Sequence, residues 1–116
     1  MNAGPRTLVG YVDVDDTLVR SFGSKQIPMA STVDRVRALA AQEGVVLYGW
    51  NSGGAEYAER VARGLGIGDL FTAFLPKPNL MRDDVHPGEW RELLVLHPNE
   101  ATHLEAPEAR ARLGWR

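Results

Sequence analysis

Apolar runs and amphipathic stretches alternate along the chain. Thr7 to Val14 is mostly apolar and β-branched, the pattern of a strand buried on both faces of a parallel sheet. Residues 20–30 read as a loop or short hairpin, with Gly23 and Pro28 as punctuation. Ser31 then offers an N-cap and Asp34 falls in the first turn. Val33, Val36, Leu39 and Ala40 recur at helical spacing, and Gly44 is placed to stop this helix as a C′ glycine. Val45 to Trp50 predicts a second strand. "NSGG" (Asn51 to Gly54) opens a second helix, whose stripe is Ala58, Val61, Ala62 and Leu65 and whose end is "GLGIG". Leu70 to Pro76 predicts a third strand and Asn79 to Arg82 a fourth. Trp90, Leu93 and Leu94 suggest a further helix. "APEARARLG" predicts a short last one, with Pro107 at its start and Gly114 at its end.

Strands alternating with helices of about ten residues are the pattern of βαβ units, hence an α/β fold with a parallel sheet. In such sheets ligands bind at the carboxyl ends of the strands. The polar clusters fall there: Asp13 to Asp16 after the first strand, Asn51 to Gly54 after the second, Lys77 after the third, and Asp83 with Asp84 after the fourth.

Composition narrows the picture. The 116 residues predict one domain, 1–116. A net charge of −2 gives no basic field for nucleic acid. With no cysteine, disulfides, thiolate metal sites and a cysteine nucleophile are excluded. The first ten residues do not form a secretory signal. No apolar run approaches the ~20 residues needed to span a membrane. The expected location is cytoplasmic.

Asp13 and Asp15 lie two apart and share a face if the strand persists. Crowded carboxylates repel, and a hard cation such as Mg²⁺ relieves that. Asp83 and Asp84 are further candidate ligands, and Lys77 a cation to balance the acids or hold an anion. The helix start after Asn51 favours an anion, with Gly53 and Gly54 allowing close approach and Ser52 offering a hydroxyl. Acids, magnesium and phosphate donors together point to phosphoryl chemistry, in which one carboxylate serves as nucleophile and another moves protons. Each feature also has a plain reading: loop acids, a helix N-cap at Ser52, a surface lysine. His86, His97 and His103 lack metal-ligand spacing, and two of them precede prolines in turns. Trp50 and Trp90 read as core. Tyr57 and Glu56, on the helix after "NSGG", could face an open site, and Arg20 and Lys25 could touch a leaving group.

"DVDDTLV" after an apolar strand resembles the first motif of the haloacid dehalogenase-like (HAD) superfamily phosphatases. A Ser after the second strand, "KP" at Lys77–Pro78 and the acids Asp83–Asp84 follow in the family's order, so the resemblance runs from about Leu8 to Asp84. It implies a three-layer α/β/α Rossmann-like sandwich with a mainly parallel central sheet. It further implies a Mg²⁺-dependent phosphatase working through an aspartyl-phosphate. Asp13 would be the nucleophile, Asp15 the acid and base, and Lys77 the steadying charge. Ser52, Asn51 and Gly53 would bind phosphate. Asp13, Asp15, Asp83 and Asp84 would bind metal, and residues 16–30 would cover the site. Two positions depart from the family pattern: Asn51 stands where Ser or Thr is usual, and Arg82 where an apolar residue is usual. The short gaps Val19–Ser31 and Gly54–Lys77 leave no room for a cap domain, which implies an open site suited to a large phosphorylated substrate. The rivals are a non-catalytic HAD-like binding module and, further off, a receiver-type signalling domain.

Overall fold

A computed structural model describes residues 4–98 and 105–115. Among these, the strands are β1 (Leu8–Asp13), β2 (Val19–Phe22), β3 (Lys25–Pro28), β4 (Val45–Asn51) and β5 (Ala73–Pro76). The helices are α1 (Ala30–Ala40), α2 (Ala55–Gly64) and α3 (Ala106–Arg112), with 3₁₀ turns at Gly68–Leu70 and Pro87–Glu89. His103 lies outside the described residues.

The sheet is small and parallel, in the order β1-β4-β5. Its register pairs Tyr11 with Tyr48 and Asp13 with Trp50, then Trp50 with Leu75 and Asn51 with Pro76. The carboxyl ends of all three strands are therefore level. β2 and β3 form a separate antiparallel hairpin between β1 and α1. Its two-residue loop begins with Gly23 at φ +62°, a conformation glycine adopts without steric cost.

Both crossovers run the same way across the sheet, and right-handed connections then put α1 and α2 on one face. The side chains agree. Leu47, with Val12, Val45 and Phe74 beside it, packs against Val33 and Val36 of α1 and Ala58, Val61 and Ala62 of α2. Val14, Leu18 and Val19, from the turn after β1, close the same core. On the other face Val9 is 54% and Tyr11 50% exposed, so β1 is not buried on both faces as its composition suggested. Its residues still alternate with the strand period, Leu8, Gly10 and Val12 inward and Val9 and Tyr11 outward. Tyr11 instead packs its ring 5.3 Å from Tyr48 and 4.9 Å from Trp50.

The expected fourth strand does not form. Asn79 to Arg82 runs as coil between Pro78 and the acids, with Leu80 85% exposed. Prolines at 76 and 78 lack the N–H groups that would continue a ladder. The expected helix at Trp90–Leu94 is also absent. The 3₁₀ turn at Pro87–Glu89 ends with Trp90 already extended, at φ −65° and ψ 125°. Trp90 is therefore a loop residue, its indole N–H donating to the Val85 carbonyl at 3.0 Å. His86 is the turn residue expected, its Nδ1 accepting from Gly88 N–H at 3.1 Å.

Helix ends follow local chemistry. α1 starts one residue before Ser31, because Met29 is already fixed by donating to the Leu18 carbonyl at 2.8 Å. Gly44, at φ +73°, lies past the end of α1 and turns the chain into β4 rather than capping the helix. Gly66 and Gly114 do act as C′ glycines. After each, the next N–H returns to the third-last carbonyl: Ile67 to Ala62 at 3.0 Å and Trp115 to Arg110 at 2.9 Å.

α3 docks at the amino ends of β1 and β4. The Arg110 guanidinium donates to the carbonyls of Arg6, Glu43 and Gly44 at 3.0, 3.0 and 3.1 Å. Gln42 Oε1 accepts from Ala106 N–H at 2.6 Å. Nearby, Arg6 pairs with Glu92 at 2.9 Å and lies 4.0 Å over the Trp115 ring. The Arg6 guanidinium, and then the Trp115 indole N–H, hold the Glu92 carboxyl below its ordinary range. Among the described residues no helix is long and apolar enough to cross a membrane.

Leu47 joins the sheet to both helices and is 2% exposed. Leu47→Ala is expected to lower stability by about 2–5 kcal/mol, through lost transfer energy plus the cavity left behind. Urea unfolding followed by circular dichroism reads this as a fall in midpoint at constant slope.

Candidate functional site

The site forms where the three level strand ends meet the start of α2. β1 leaves the sheet at Asp13 into a tight turn. The N–H groups of Leu18 and Val19 both return to the Val14 carbonyl, at 2.9 and 3.3 Å, and Asp16 N–H donates to the Val19 carbonyl at 2.7 Å. Val14, Leu18 and Val19 are buried, so the turn is anchored from below. Its tightest point is Asp16, at φ +60° and exposed. Aspartate tolerates this left-handed region better than most side chains. Asp16 is thus a turn former, and Asp13 and Asp15 are left to the site.

Each oxygen of those two carboxylates has its own donor. Asp13 Oδ1 pairs with the Lys77 ammonium at 3.1 Å, and Asp13 Oδ2 accepts from the Thr17 hydroxyl at 3.2 Å. Asp15 Oδ1 accepts from the Tyr57 hydroxyl at 2.6 Å, and Asp15 Oδ2 from Asn51 Nδ2 at 3.3 Å. The acids sit in different surroundings, one facing a full positive charge and the other two neutral donors. The two crowded carboxylates thus have separate partners.

Asn51 is the one buried polar side chain among the described residues, at 1% exposure. Its Oδ1 accepts from Asp15 N–H at 3.0 Å while its Nδ2 donates to the same residue's carboxylate. Its carbonyl accepts from Gly54 N–H at 3.1 Å and Lys77 N–H at 3.0 Å. One residue therefore ties together the end of β1, the start of α2 and the end of β5. Its side-chain amide is engaged with Asp15, not turned outward as a phosphate donor.

Ser52 and Gly53 are exposed in the turn that follows. A Cβ at Gly53 would come within 3.1 Å of Asn51 Nδ2 and 3.4 Å of the Tyr57 ring, so the turn is close-fitting on its inner side. Gly54, at φ +107°, immediately precedes α2 and leaves that helix's first N–H groups at the strand ends. Lys77 is half-buried and lies 5.8 Å from the Trp50 ring centroid. Trp50 is half-buried on the open sheet face, not in the core as its composition suggested.

Asp83, Asp84 and Arg82 lie exposed in the coil after β5. Asp83 Oδ1 accepts from Val85 N–H at 2.9 Å, an Asx turn. Among the described residues no three His, Cys, Asp or Glu side chains are grouped to hold a metal ion. The structure thus brings together Asp13, Asp15, Asn51 and Lys77, but does not gather Asp83 or Asp84 with them.

Three residues of the site carried no strong signal in sequence. Thr17 belongs to the first motif, yet its contact with Asp13 needed the turn. Tyr57 is a first-turn helix residue whose hydroxyl reaches Asp15 only because α2 starts beside β1. Gln26, on β3, donates to that hydroxyl at 2.6 Å. The Asp15 hydrogen bond pushes the Tyr57 phenol above its ordinary value, with burial and the Asp15 charge acting in the same direction.

No protein-family model, curated protein or solved structure matches the chain.

Two measurements test this geometry. Asn51→Ala removes partners from a buried network and is expected to cost about 1–3 kcal/mol in urea unfolding. Asn51→Asp keeps the shape but sets a third carboxylate on Asp15, so it should be no better. The second is a phenol titration at 295 nm. Tyr57→Phe should remove a phenol ionisation that lies above the ordinary tyrosine value. The sign follows from linkage. A phenol whose folded value is raised adds stability that is complete below its unfolded value and is lost as pH rises through the folded one.

Proposed function

We propose that the chain is a Mg²⁺-dependent phosphohydrolase of the HAD-like type, acting on a phosphate monoester through an aspartyl-phosphate. The observation that carries this reading is the contrast between two carboxylates two positions apart. Asp13 faces Lys77 at 3.1 Å, while Asp15 is held by Tyr57 and Asn51. Titratable neighbours placed in different environments are how one site assigns separate roles to similar groups.

In this reading a carboxylate oxygen of Asp13 bonds to phosphorus as the ester P–O bond breaks, and the departing oxygen takes a proton from Asp15. Asp15, now ionised, accepts a proton from water. That water oxygen bonds to phosphorus, the bond to Asp13 breaks, and inorganic phosphate leaves. Lys77 balances the phosphoryl charge, and Ser52, Gly53 and the first N–H groups of α2 bind its oxygens. Asn51 contributes by fixing Asp15 and the Lys77 backbone.

Magnesium asks for few protein ligands, often one or two carboxylates completed by water and phosphate oxygens. Asp13, with a side chain 26% exposed at the strand end, meets that demand. Asp13 and Asp15, with Asp83 or Asp84 from the loop after β5, would hold the ion. When bound it supplies charge balance for crowded acids and phosphate. The same reading carries the three-layer Rossmann-like sandwich, of which α1 and α2 supply one helical layer, and a cytoplasmic setting. It also carries an uncapped site, roofed at most by the β2–β3 hairpin, that suits a large phosphorylated substrate.

One observation favours the rival, a HAD-like binding module without turnover. Asp83 and Asp84 stand apart from Asp13 and Asp15.

A panel of phosphate esters with Mg²⁺ separates the two. The hydrolase reading expects turnover that EDTA abolishes and Mg²⁺ restores, with none left in Asp13→Asn. Asp15→Asn should lose about 10²–10⁴-fold, the usual worth of a general acid and base. No turnover by the wild-type chain across the panel, or an Asp13→Asn variant as fast as wild type, leaves the binding module.

A further inference from the structure

The contacts around Asp15 extend beyond the residues that the hydrolase reading needs. Tyr57 has one hydroxyl proton. It is donated to Asp15 Oδ1 at 2.6 Å, and the Tyr57 hydroxyl oxygen in turn accepts from Gln26 Nε2 at 2.6 Å. The direction of the chain is therefore fixed: Gln26 amide to Tyr57 hydroxyl to Asp15 carboxylate. Its three members come from three elements, namely β3 of the hairpin, the first turn of α2 and the turn after β1.

The members differ in how firmly they are held. The Tyr57 ring is partly buried against the hydrophobic core, and the Arg60 guanidinium lies 5.5 Å from its centroid. Asp15 is tied through its backbone and its other oxygen to buried Asn51. Gln26 stands on a hairpin whose residues, apart from Val19, are exposed along both strands. Two anchored groups are thus linked to one exposed element.

We propose that Tyr57 is a positioning residue for Asp15 and that Gln26 couples this positioning to the hairpin. Tyr57 holds the Asp15 carboxyl in the rotamer that a proton donor to the leaving group must keep. Gln26 orients the Tyr57 hydroxyl, so its proton points at Asp15 while the hairpin lies over α2. The claim rests on the hydrolase reading for its kinetic consequence, but not for its structural one. A side chain held within a fraction of an ångström by its supporting partners is what proton transfer requires.

The test compares phenyl phosphate, whose leaving group needs a proton, with 2,4-dinitrophenyl phosphate, whose leaving group does not. Tyr57→Phe keeps the ring in the core and removes only the hydroxyl. Its kcat/KM should fall about 10-fold or more on phenyl phosphate and about 2-fold or less on the dinitrophenyl ester, part of the 10²–10⁴-fold that a general acid supplies. Gln26→Ala should show the same selectivity with a smaller fall. An equal fall on both esters, or no fall, overturns the proposal. Should wild type turn over no ester of the panel, the hydrolase reading fails, and the positioning claim is then read alone. Side-chain NMR couplings should show one dominant Asp15 χ1 rotamer in wild type and averaging in Tyr57→Phe. An unchanged rotamer in the variant overturns the claim whatever the activity.

Discussion

The site depends on one buried amide. Asn51 is enclosed by the protein, and a buried polar side chain is tolerated only when its hydrogen bonds are made. Here they are made to the backbone and carboxylate of Asp15. The same residue's carbonyl takes the N–H groups of Gly54 and Lys77. The three segments that carry the site's chemistry are therefore not positioned independently. Moving any one of them leaves an Asn51 group unpaired in a place water does not reach. That constraint gives exposed side chains a fixed geometry in a small sheet.

The two ends of the sheet do different work. At the amino ends, Arg110 binds three backbone carbonyls and α3 closes the fold with Gln42. These contacts hold strands but present no reactive group. At the carboxyl ends the contacts are made by Asp13, Asp15, Lys77, Tyr57 and Asn51. Backbone anchoring and the candidate site thus fall at opposite ends of the strands, and the carboxyl ends are where such sheets generally bind ligands. Across the sheet the separation is between faces. α1 and α2 fill one face, and on the other the Tyr11 ring packs against those of Tyr48 and Trp50.

What the sequence made legible followed from period and punctuation. The three parallel strands, two crossover helices, hairpin and last helix come from apolar spacing and from glycines such as Gly23, Gly66 and Gly114. What it hid was non-local. Asn79–Arg82 has strand composition, but prolines at 76 and 78 and the absence of a paired neighbour among the described residues leave it as coil. Trp90–Leu94 has a helical stripe, yet Pro87 and Gly88 set an extended exit that spacing does not reveal. The burial of β1 failed for a topological reason: both crossovers run to one side. In the site, the level placement of Asp13, Asn51 and Lys77 was legible from strand ends. The inward turn of Asn51 was not, because an asparagine after a strand reads equally as buried hub or exposed donor. That Tyr57 could face the site was legible from its place on the helix after "NSGG", but its bond to Asp15 and the part of Gln26 were not, since they depend on where the hairpin sets Gln26 beside the start of α2.

Two acids two positions apart are expensive only if they share surroundings. Asp13 meets an ammonium and a hydroxyl; Asp15 meets a phenol and an amide. An ammonium stabilises a carboxylate as charge against charge. A phenol and an amide stabilise it through hydrogen bonds whose strength falls steeply with misalignment. Asp13 is therefore insensitive to small displacements of its partner, whereas Asp15 depends on the Tyr57 hydroxyl staying in line. Because Gln26 sets that line from an exposed hairpin, whatever settles the hairpin also settles Asp15 and leaves Asp13 as it was. The crowding of the first motif thus places a robust carboxylate beside a conditional one, and the condition is read from outside the sheet.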